Sequence, residues 1–203
     1  FPSGLSENSV YGQFIWAGII PEGIGVIDRL ENSINYLDVR LNTNSVLYFN
    51  QKIYPELAAV NSWGVIHLYS QTYNSIYSVE RSRFNSSPFI DFTKERLSSN
   101  CFIDMSLNDD SDLLLLACNG IAYVFSLNGK IKTSMPVSIN NPKHVIAIGD
   151  DWLVFNDDGI ALSVNTNTKY RLPPSSMPLV DVQSKNNSIA ILSLNQILIL
   201  DVK

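Results

Sequence analysis

The sequence repeats one pattern, in which an apolar run, a tight turn containing glycine and a second apolar run follow one another. The clearest copies run from Leu113 to Ser126, turning at Gly120, and from Trp152 to Ser163, turning at Gly159. Asn or Asp directly precedes each of these glycines. Such dipeptides are favoured in two-residue hairpins because glycine accepts the positive φ that the turn requires. The pattern therefore predicts a series of antiparallel β-hairpins.

Weaker copies of the pattern extend it along most of the chain. They turn at Gly23, at Gly64 and near Gln196. Most spacings between successive turns are close to the roughly 40 to 45 residues that a four-stranded propeller blade occupies. No helical period of 3.6 residues persists, which argues against α/β and helical folds. We therefore predict an all-β fold, a β-propeller or propeller segment of about five antiparallel blades, with residues 1–203 as a single domain or segment.

Both ends of the predicted array are short of a strand. The first unit shows three strands, near residues 10–16, 24–30 and 33–40, which we assign as the second, third and fourth strands of a blade. The last unit shows the first three strands and finishes at residues 198–203. Because a closed propeller leaves no edge unpaired, the missing strands come either from the first ten residues or from another segment or chain.

Two segments resemble the outer strands of WD40-like blades, namely Ile121 to Gly129 and Ile197 to Lys203. In both, an apolar strand leads into small polar residues. The Gly-His and Trp-Asp dipeptides of the WD40 family are absent. The resemblance implies a scaffold that presents its loop faces to protein partners and seldom performs chemistry.

No catalytic or cofactor motif stands out. The sequence has no Gly-rich phosphate loop and no Gly-x-Ser-x-Gly elbow. Its two histidines, His67 and His144, lie in apolar runs and are interpreted as structural. The acidic turns lack the ligand spacing of a calcium loop and are interpreted as solvated. We therefore predict no enzyme activity, no cofactor and no metal site.

Charge and hydropathy argue against two classes of partner. The formal net charge is -5, whereas nucleic-acid binding needs a basic face. No apolar run approaches the roughly 20 residues of a membrane-spanning helix. We therefore expect neither nucleic acid as a partner nor membrane insertion.

The two cysteines fall on either side of a predicted hairpin. Pairing Leu107 with Asp112 places Cys101 opposite Cys118, so a cross-strand disulfide is geometrically allowed. The alternative is a pair of reduced, buried thiols, as expected inside a cell. We favour the reduced pair, since nothing else signals secretion.

A long insertion between blades, at about residues 80–100, is the most distinctive segment. It concentrates basic and aromatic side chains, which is the composition of a protein-binding hot spot. The candidate partner-binding residues are Arg81, Arg83, Phe84, Phe89, Phe92, Lys94 and Arg96. The alternative is an extra strand at residues 89–93 that packs its own phenylalanines and leaves the charges solvated.

These observations lead to two functional hypotheses. The first is a non-enzymatic scaffold that binds other protein subunits within an intracellular complex, in the nucleus or cytoplasm of a eukaryote. The second is a secreted or viral module that binds a receptor or a glycan. The second would account for the start at Phe1, the allowed disulfide and the glycosylation patterns at Asn85 and Asn186.

Overall fold

The computed structural model describes residues 12–95, 97–185 and 188–201. Apart from a single turn of 3-10 helix, Pro174–Ser176, the regular secondary structure there is all β. The chain divides into two compact units, Phe1–Ser98 and Ser99–Lys203. No helix of the described ranges is long and apolar enough to cross a membrane. The predicted all-β class is confirmed.

The first unit contains two antiparallel sheets, each built from four consecutive strands in chain order. The strands of the first sheet are β1 (Phe14–Ile20), β2 (Gly23–Asp28), β3 (Ser33–Leu37) and β4 (Thr43–Tyr48). The strands of the second sheet are β5 (Leu57–Val60), β6 (Ile66–Ser70), β7 (Ser75–Glu80) and β8 (Arg83–Asp91).

The second unit contains three more antiparallel sheets, and the last has three strands among the described residues. The third sheet contains β9 (Phe102–Leu107), β10 (Leu113–Ala117), β11 (Ile121–Phe125) and β12 (Ile131–Pro136). The fourth contains β13 (Pro142–Ile148), β14 (Asp151–Asn156), β15 (Ile160–Ser163) and β16 (Lys169–Arg171). The fifth contains β17 (Leu179–Lys185), β18 (Ser188–Ser193) and β19 (Ile197–Asp201).

The position of a strand within its sheet follows from its polarity. Every residue of β10 is buried, whereas the edge strand of the same sheet, β12, is mostly exposed and carries Lys132, Thr133 and Ser134. A strand covered on both faces is a continuous apolar run, and a solvated edge strand tolerates polar residues. The local sequence therefore distinguishes middle strands from outer ones.

The cores lie between the faces of successive sheets within each unit. In the first unit Ile27 and Ile34 of the first sheet pack in one cluster with Leu68 of the second. In the second unit one cluster joins the third and fourth sheets. Another joins the fourth and fifth sheets through Phe155 and Ile191. Face-to-face packing of this kind removes apolar side chains from water, which stabilises the fold.

The first sheet is complete, contrary to the prediction that it lacks a strand. The segment assigned as a second strand is β1, the first strand, and β4 supplies the fourth. The error arose because Gly23, the first residue of β2, and Gly64, in the β5–β6 turn, mark connections between first and second strands. Gly120 and Gly159 lie in turns between second and third strands. All four have positive φ, so glycine alone does not distinguish the two kinds of turn. The first ten residues, suggested as a source of a missing strand, lie outside the described residues.

The segment predicted as an inter-blade insertion contains the regular fourth strand of the second sheet, β8. Part of its extra length is a bulge in β8. Ile76 and Ser78 of β7 are separated by one residue, whereas their partners on β8, Ile90 and Asn85, are separated by residues 86–89. A strand is therefore present here, as the alternative interpretation proposed, but it starts at Arg83 and belongs to the sheet.

Candidate functional site

The phenylalanines of the predicted partner-binding segment pack inside the first unit. Phe84 is buried, with its ring 4.9 Å from that of Phe49 and 5.8 Å from that of Tyr77, centroid to centroid. Phe92 is buried and meets the ring of Tyr69 edge-on. Phe89 is half-buried. The three aromatic rings thus contribute to packing and do not form an exposed aromatic cluster.

The basic side chains of the same segment point into solvent. Arg81 lies in the β7–β8 turn with 93% of its side chain exposed, and Arg83 is exposed at the start of β8. Lys94 is exposed and forms an ion pair with Asp91 at 2.8 Å. Arg96 lies outside the described residues. The structure separates buried aromatic from solvated basic side chains, and the partner-binding role of these residues stays a prediction.

Cys101 and Cys118 are joined by a disulfide, with 5.5 Å between their Cα atoms. Cys101 directly precedes β9 and Cys118 directly follows β10, and the Cys118 N–H donates to the Cys101 carbonyl at 2.9 Å. The structure thus contains the allowed disulfide and not the reduced thiols that the sequence favoured.

His67 has the structural environment predicted for it. It is buried in β6, with its ring 4.4 Å from that of Phe89, and burial lowers its pKa to about 4. It is therefore neutral at physiological pH and packs as an aromatic side chain.

His144 has a different environment, because two acidic side chains from other segments act on it electrostatically. It is half-buried on β13, and β13 packs against both β9 and β17. Burial lowers its pKa, while the charges of Asp181 and Asp157 act in the opposite direction. Sequence analysis overlooked this arrangement because the three strands are separated by long stretches of chain.

Asp104 and Asp181 occupy the positions on β9 and β17 that correspond to His144 on β13. Each of the three residues directly follows a register shift in the pairing of its strand with the next one. A bulge of this kind reorients the side chains beside it. The repeat thus places two carboxyls and one imidazole at equivalent points of three adjacent first strands.

Asp104 is the most perturbed acid of this group. Its Oδ2 accepts from the Val145 N–H at 2.7 Å, and its Oδ1 accepts from the Met105 N–H at 2.8 Å. Burial raises the pKa of the Asp104 carboxyl to about 7 against these hydrogen bonds, and the charge of Asp181 raises it further. Perturbed pKa values of this type concentrate at functional sites. We call Asp104, His144 and Asp181 the inner acid cluster.

Within the described part of the chain, no group of three or more His, Cys, Asp or Glu side chains could hold a metal ion.

A second exposed feature is the turn between β5 and β6, which contains Trp63. The Asn61 side chain organises this turn, because its Oδ1 accepts from the N–H groups of Trp63 at 3.1 Å and Val65 at 2.9 Å. Gly64 adopts φ +80° and lies against Pro21 of the preceding sheet, leaving no room for a side chain. Trp63 is nevertheless 64% exposed. The turn was evident in the sequence, but no local signal indicated that its tryptophan faces solvent.

Comparison with known proteins gives a fold and no family. The sequence matches no protein-family model and no curated protein. A streptogramin B lyase structure matches with a TM-score of 0.64 at 15% identity, over 96% of this chain and 70% of that one. The chain has the β-propeller fold. The WD40 type in particular is not shown.

Two further similar structures contain protein or peptide partners. YCF48 bound to D1 peptide matches with a TM-score of 0.67 at 12% identity, over 97% of this chain and 67% of that one. BBS1N in complex with ARL6DN matches with a TM-score of 0.63 at 11% identity, over 94% of this chain and 63% of that one. These likenesses support the propeller prediction.

The comparisons contradict the prediction that the chain is not an enzyme. That prediction rested on propellers seldom performing chemistry, yet streptogramin B lyase is among the similar structures. A catalytically inactive variant of virginiamycin B lyase from Staphylococcus aureus also matches, with a TM-score of 0.62 at 14% identity. Enzymes with a propeller fold are therefore among the structures similar to this chain, and the fold alone does not determine function.

Proposed function

We propose that this chain is a protein-binding β-propeller whose β5–β6 turn contacts a partner protein through Trp63. The observation that supports this most directly is the exposure of a tryptophan on a turn held by side-chain hydrogen bonds. Tryptophan is enriched among the few residues that dominate protein interfaces, because it buries a large area with few rotatable bonds.

The rigidity of the turn favours this role. Asn61 is buried, and its backbone also pairs with the turn, accepting from the Gly64 N–H at 3.0 Å and donating to the Val65 carbonyl at 3.1 Å. A preorganised contact loses less conformational entropy on binding than a mobile loop does. Ser62, which precedes Trp63 in the chain, and Pro21, against which Gly64 lies, are also exposed.

Similar structures provide supporting context. YCF48 is bound to a peptide, and BBS1N is in complex with a second protein. The D1 peptide and ARL6DN are partners of YCF48 and BBS1N, respectively, and are not proposed as partners of this chain. For this chain we propose a partner that is another subunit of a multiprotein complex.

The test compares Trp63→Ala with Tyr170→Ala in affinity purification from the native source, with quantitative identification of the proteins recovered. Tyr170 is a matched control, because it is an aromatic side chain with 52% exposure on the outer strand β16. We expect recovery of a stoichiometric partner to fall by about 10-fold or more in Trp63→Ala, as for loss of a hot spot. Tyr170→Ala should retain it. Equal recovery in the two variants would exclude Trp63 as the contact.

The compartment of the complex is tested separately, by titrating thiols of the natively purified chain without reduction. Two free thiols at Cys101 and Cys118 would favour the intracellular complex of the first hypothesis. The absence of free thiols would favour the secreted receptor- or glycan-binding module of the second hypothesis, because disulfides persist in oxidising compartments.

A further inference from the structure

The last strand of the fifth sheet, β19, has one free edge in the part of the chain that the structure describes. It pairs with β18 on one side, and no described strand pairs with its other side. In the other four sheets the third strand, which is β3, β7, β11 or β15, has a strand on both sides. β19 therefore occupies a middle position of the repeat while forming an edge.

The backbone of β19 presents hydrogen-bonding groups along this free edge. The β18–β19 hairpin closes where the Ser193 N–H donates to the Gln196 carbonyl at 2.9 Å. Successive residues of an antiparallel strand direct their N–H and C=O groups alternately toward and away from the neighbouring strand. Counting from Gln196, every second residue of β19 therefore directs both groups away from β18, namely Ile197, Ile199 and Asp201.

The side chains of β19 lack the features that keep an exposed edge from pairing. Natural edge strands are protected by lysine, by proline or by a bulge. Among the outer strands of this chain, β8 contains Pro88, β12 contains Lys132 and β16 contains Lys169. β19 contains no proline and no basic residue, and its Ile197 and Ile199 are 68% and 67% exposed. Its sequence is that of a covered strand.

The core side of β19 is also incompletely covered. Leu198 and Leu200 pack against the cluster between the fourth and fifth sheets but are only half-buried. In three of the four-stranded sheets, the fourth strand adds an apolar side chain to the core, opposite a buried residue of the third strand. These pairs are Leu47 with Ile34, Phe84 with Val79 and Met135 with Ala122. A strand beside β19 would cover Leu198 and Leu200 in the same way.

The described strands cannot supply this missing neighbour, because each already has a place in a sheet. Residues 1–11 contain a single β-branched residue, Val10, and include Pro2, Gly4 and Asn8, which are types that strands disfavour. Their sequence is therefore not that of an apolar strand.

We infer that β19 is the docking edge for an extended β-strand of a partner protein, which completes the fifth sheet as its fourth, antiparallel strand. In this mode of recognition main-chain hydrogen bonds supply affinity and alternate side chains supply specificity. The partner strand presents an apolar residue opposite Leu198 or Leu200. It presents a basic residue opposite Asp201, which is in none of the ion pairs found among the described residues. The inference rests on the proposed function in taking the strand from a partner protein, but it does not use Trp63.

The experiment is an NMR titration of the full chain with the peptide acetyl-Lys-Val-Thr-Val-Thr-amide. Paired antiparallel to β19, its residues lie opposite Asp201 through Ile197 in that order. We expect saturable shifts and slower hydrogen exchange at the amides of Ile197, Ile199 and Asp201. The amides of Leu198 and Leu200 face β18 and should be protected with or without the peptide.

A second peptide, N-methylated at both threonines, keeps the side chains but loses the N–H donors that face β19. It should cause no saturable shifts. The matched variants are Ile199→Lys and Val39→Lys, which add the same charge at exposed apolar positions, the second in the β3–β4 turn. Ile199→Lys should weaken binding of the unmethylated peptide by about 3-fold or more, and Val39→Lys should not.

Three results would overturn the inference: no saturable shifts with the unmethylated peptide, equal binding of the methylated one, or equal binding to the two variants. Slow exchange of the Ile197 and Ile199 amides in the chain alone would also overturn it, because the edge would then be covered by another segment of the chain or by a second copy. If any of these occurs while partner recovery still depends on Trp63, only the docking edge is rejected. If the peptide binds as expected while Trp63→Ala retains its partner, the Trp63 contact is rejected and the docking edge stands.

Discussion

Replacing Gly64 with alanine should destabilise the first unit and displace the Trp63 turn. A Cβ at this position would lie 2.5 Å from Pro21 Cδ and 2.6 Å from Pro21 Cγ, whereas carbon atoms in contact are normally about 3.5 Å apart. Overpacking of this kind costs about 1 to 3 kcal/mol. The left-handed backbone, with φ +80°, adds about 1 kcal/mol for a residue with a Cβ. We therefore expect Gly64→Ala to lower the free energy of unfolding by about 2 to 4 kcal/mol.

Two variants separate the steric cost from the backbone cost. Gly120 has φ +75° and open space where a Cβ would lie, so Gly120→Ala should cost only about 1 kcal/mol. Pro21→Ala removes both carbons that meet the new methyl and leaves a Cβ at 3.9 Å. The double variant with Pro21→Ala and Gly64→Ala should therefore recover most of the steric cost.

The assay is urea unfolding followed by tryptophan fluorescence, since Trp16 and Trp63 report on the first unit and Trp152 on the second. Coupling between positions 21 and 64 is obtained from the double-mutant cycle. Two results would show that steric contact with Pro21 does not restrict the side chain at residue 64. One is an equal loss of unfolding free energy in Gly64→Ala and Gly120→Ala, and the other is no recovery of stability when Pro21→Ala is added to Gly64→Ala.

Two further predictions concern the buried side chain of His67 and the disulfide between Cys101 and Cys118. His67 has a folded-state pKa of about 4 against 6.5 unfolded, so the unfolded chain binds more protons between these values. The free energy of unfolding should therefore not depend on the charge of His67 above about pH 6.5, and should fall by about 3 kcal/mol as the pH is lowered to about 4. Unfolding measured at several pH values tests this. His67→Leu should remove this component; an unchanged pH profile would contradict the assignment. Reducing the Cys101–Cys118 bond, which closes a loop with a sequence separation of 17, should cost about 3 kcal/mol. Unfolding with and without reductant tests this, and a variant with both cysteines changed to serine should be insensitive to reductant.

Local sequence predicted the hairpins better than their place in the sheets. The segments around Gly120 and Gly159 form β10 with β11 and β14 with β15, as expected. The turns at Gly23 and Gly64 were assigned to the wrong pair of strands, because a glycine with positive φ is common to both kinds of turn. The apparent excess length between Gly64 and Gly120 came largely from comparing unlike turns.

Register depends on contacts that the local sequence does not show. The predicted pairing of Leu107 with Asp112 is wrong, because Leu107 pairs with Leu113. Further along the same two strands, β9 and β10, a bulge between Phe102 and Asp104 shifts the pairing by one residue. The shift brings Cys101 opposite Cys118 in spite of the different register at the other end. The same bulge directly precedes Asp104, whose carboxyl accepts a hydrogen bond from the Val145 N–H of β13. Sequence analysis did not indicate this contact between β9 and β13.

The sequence by itself determined the β class, the principal hairpins and the distinction between middle and outer strands, because alternation, apolar runs and Asn-Gly or Asp-Gly turns act over a few neighbouring residues. Tertiary structure decided which aromatic side chains are buried. It buried Phe84 and Phe92 and left Trp63 exposed, although all three are large and apolar. It also assembled the inner acid cluster from three separate strands. Burial and clustering depend on which distant segments pair, and only the folded sheets specify that pairing.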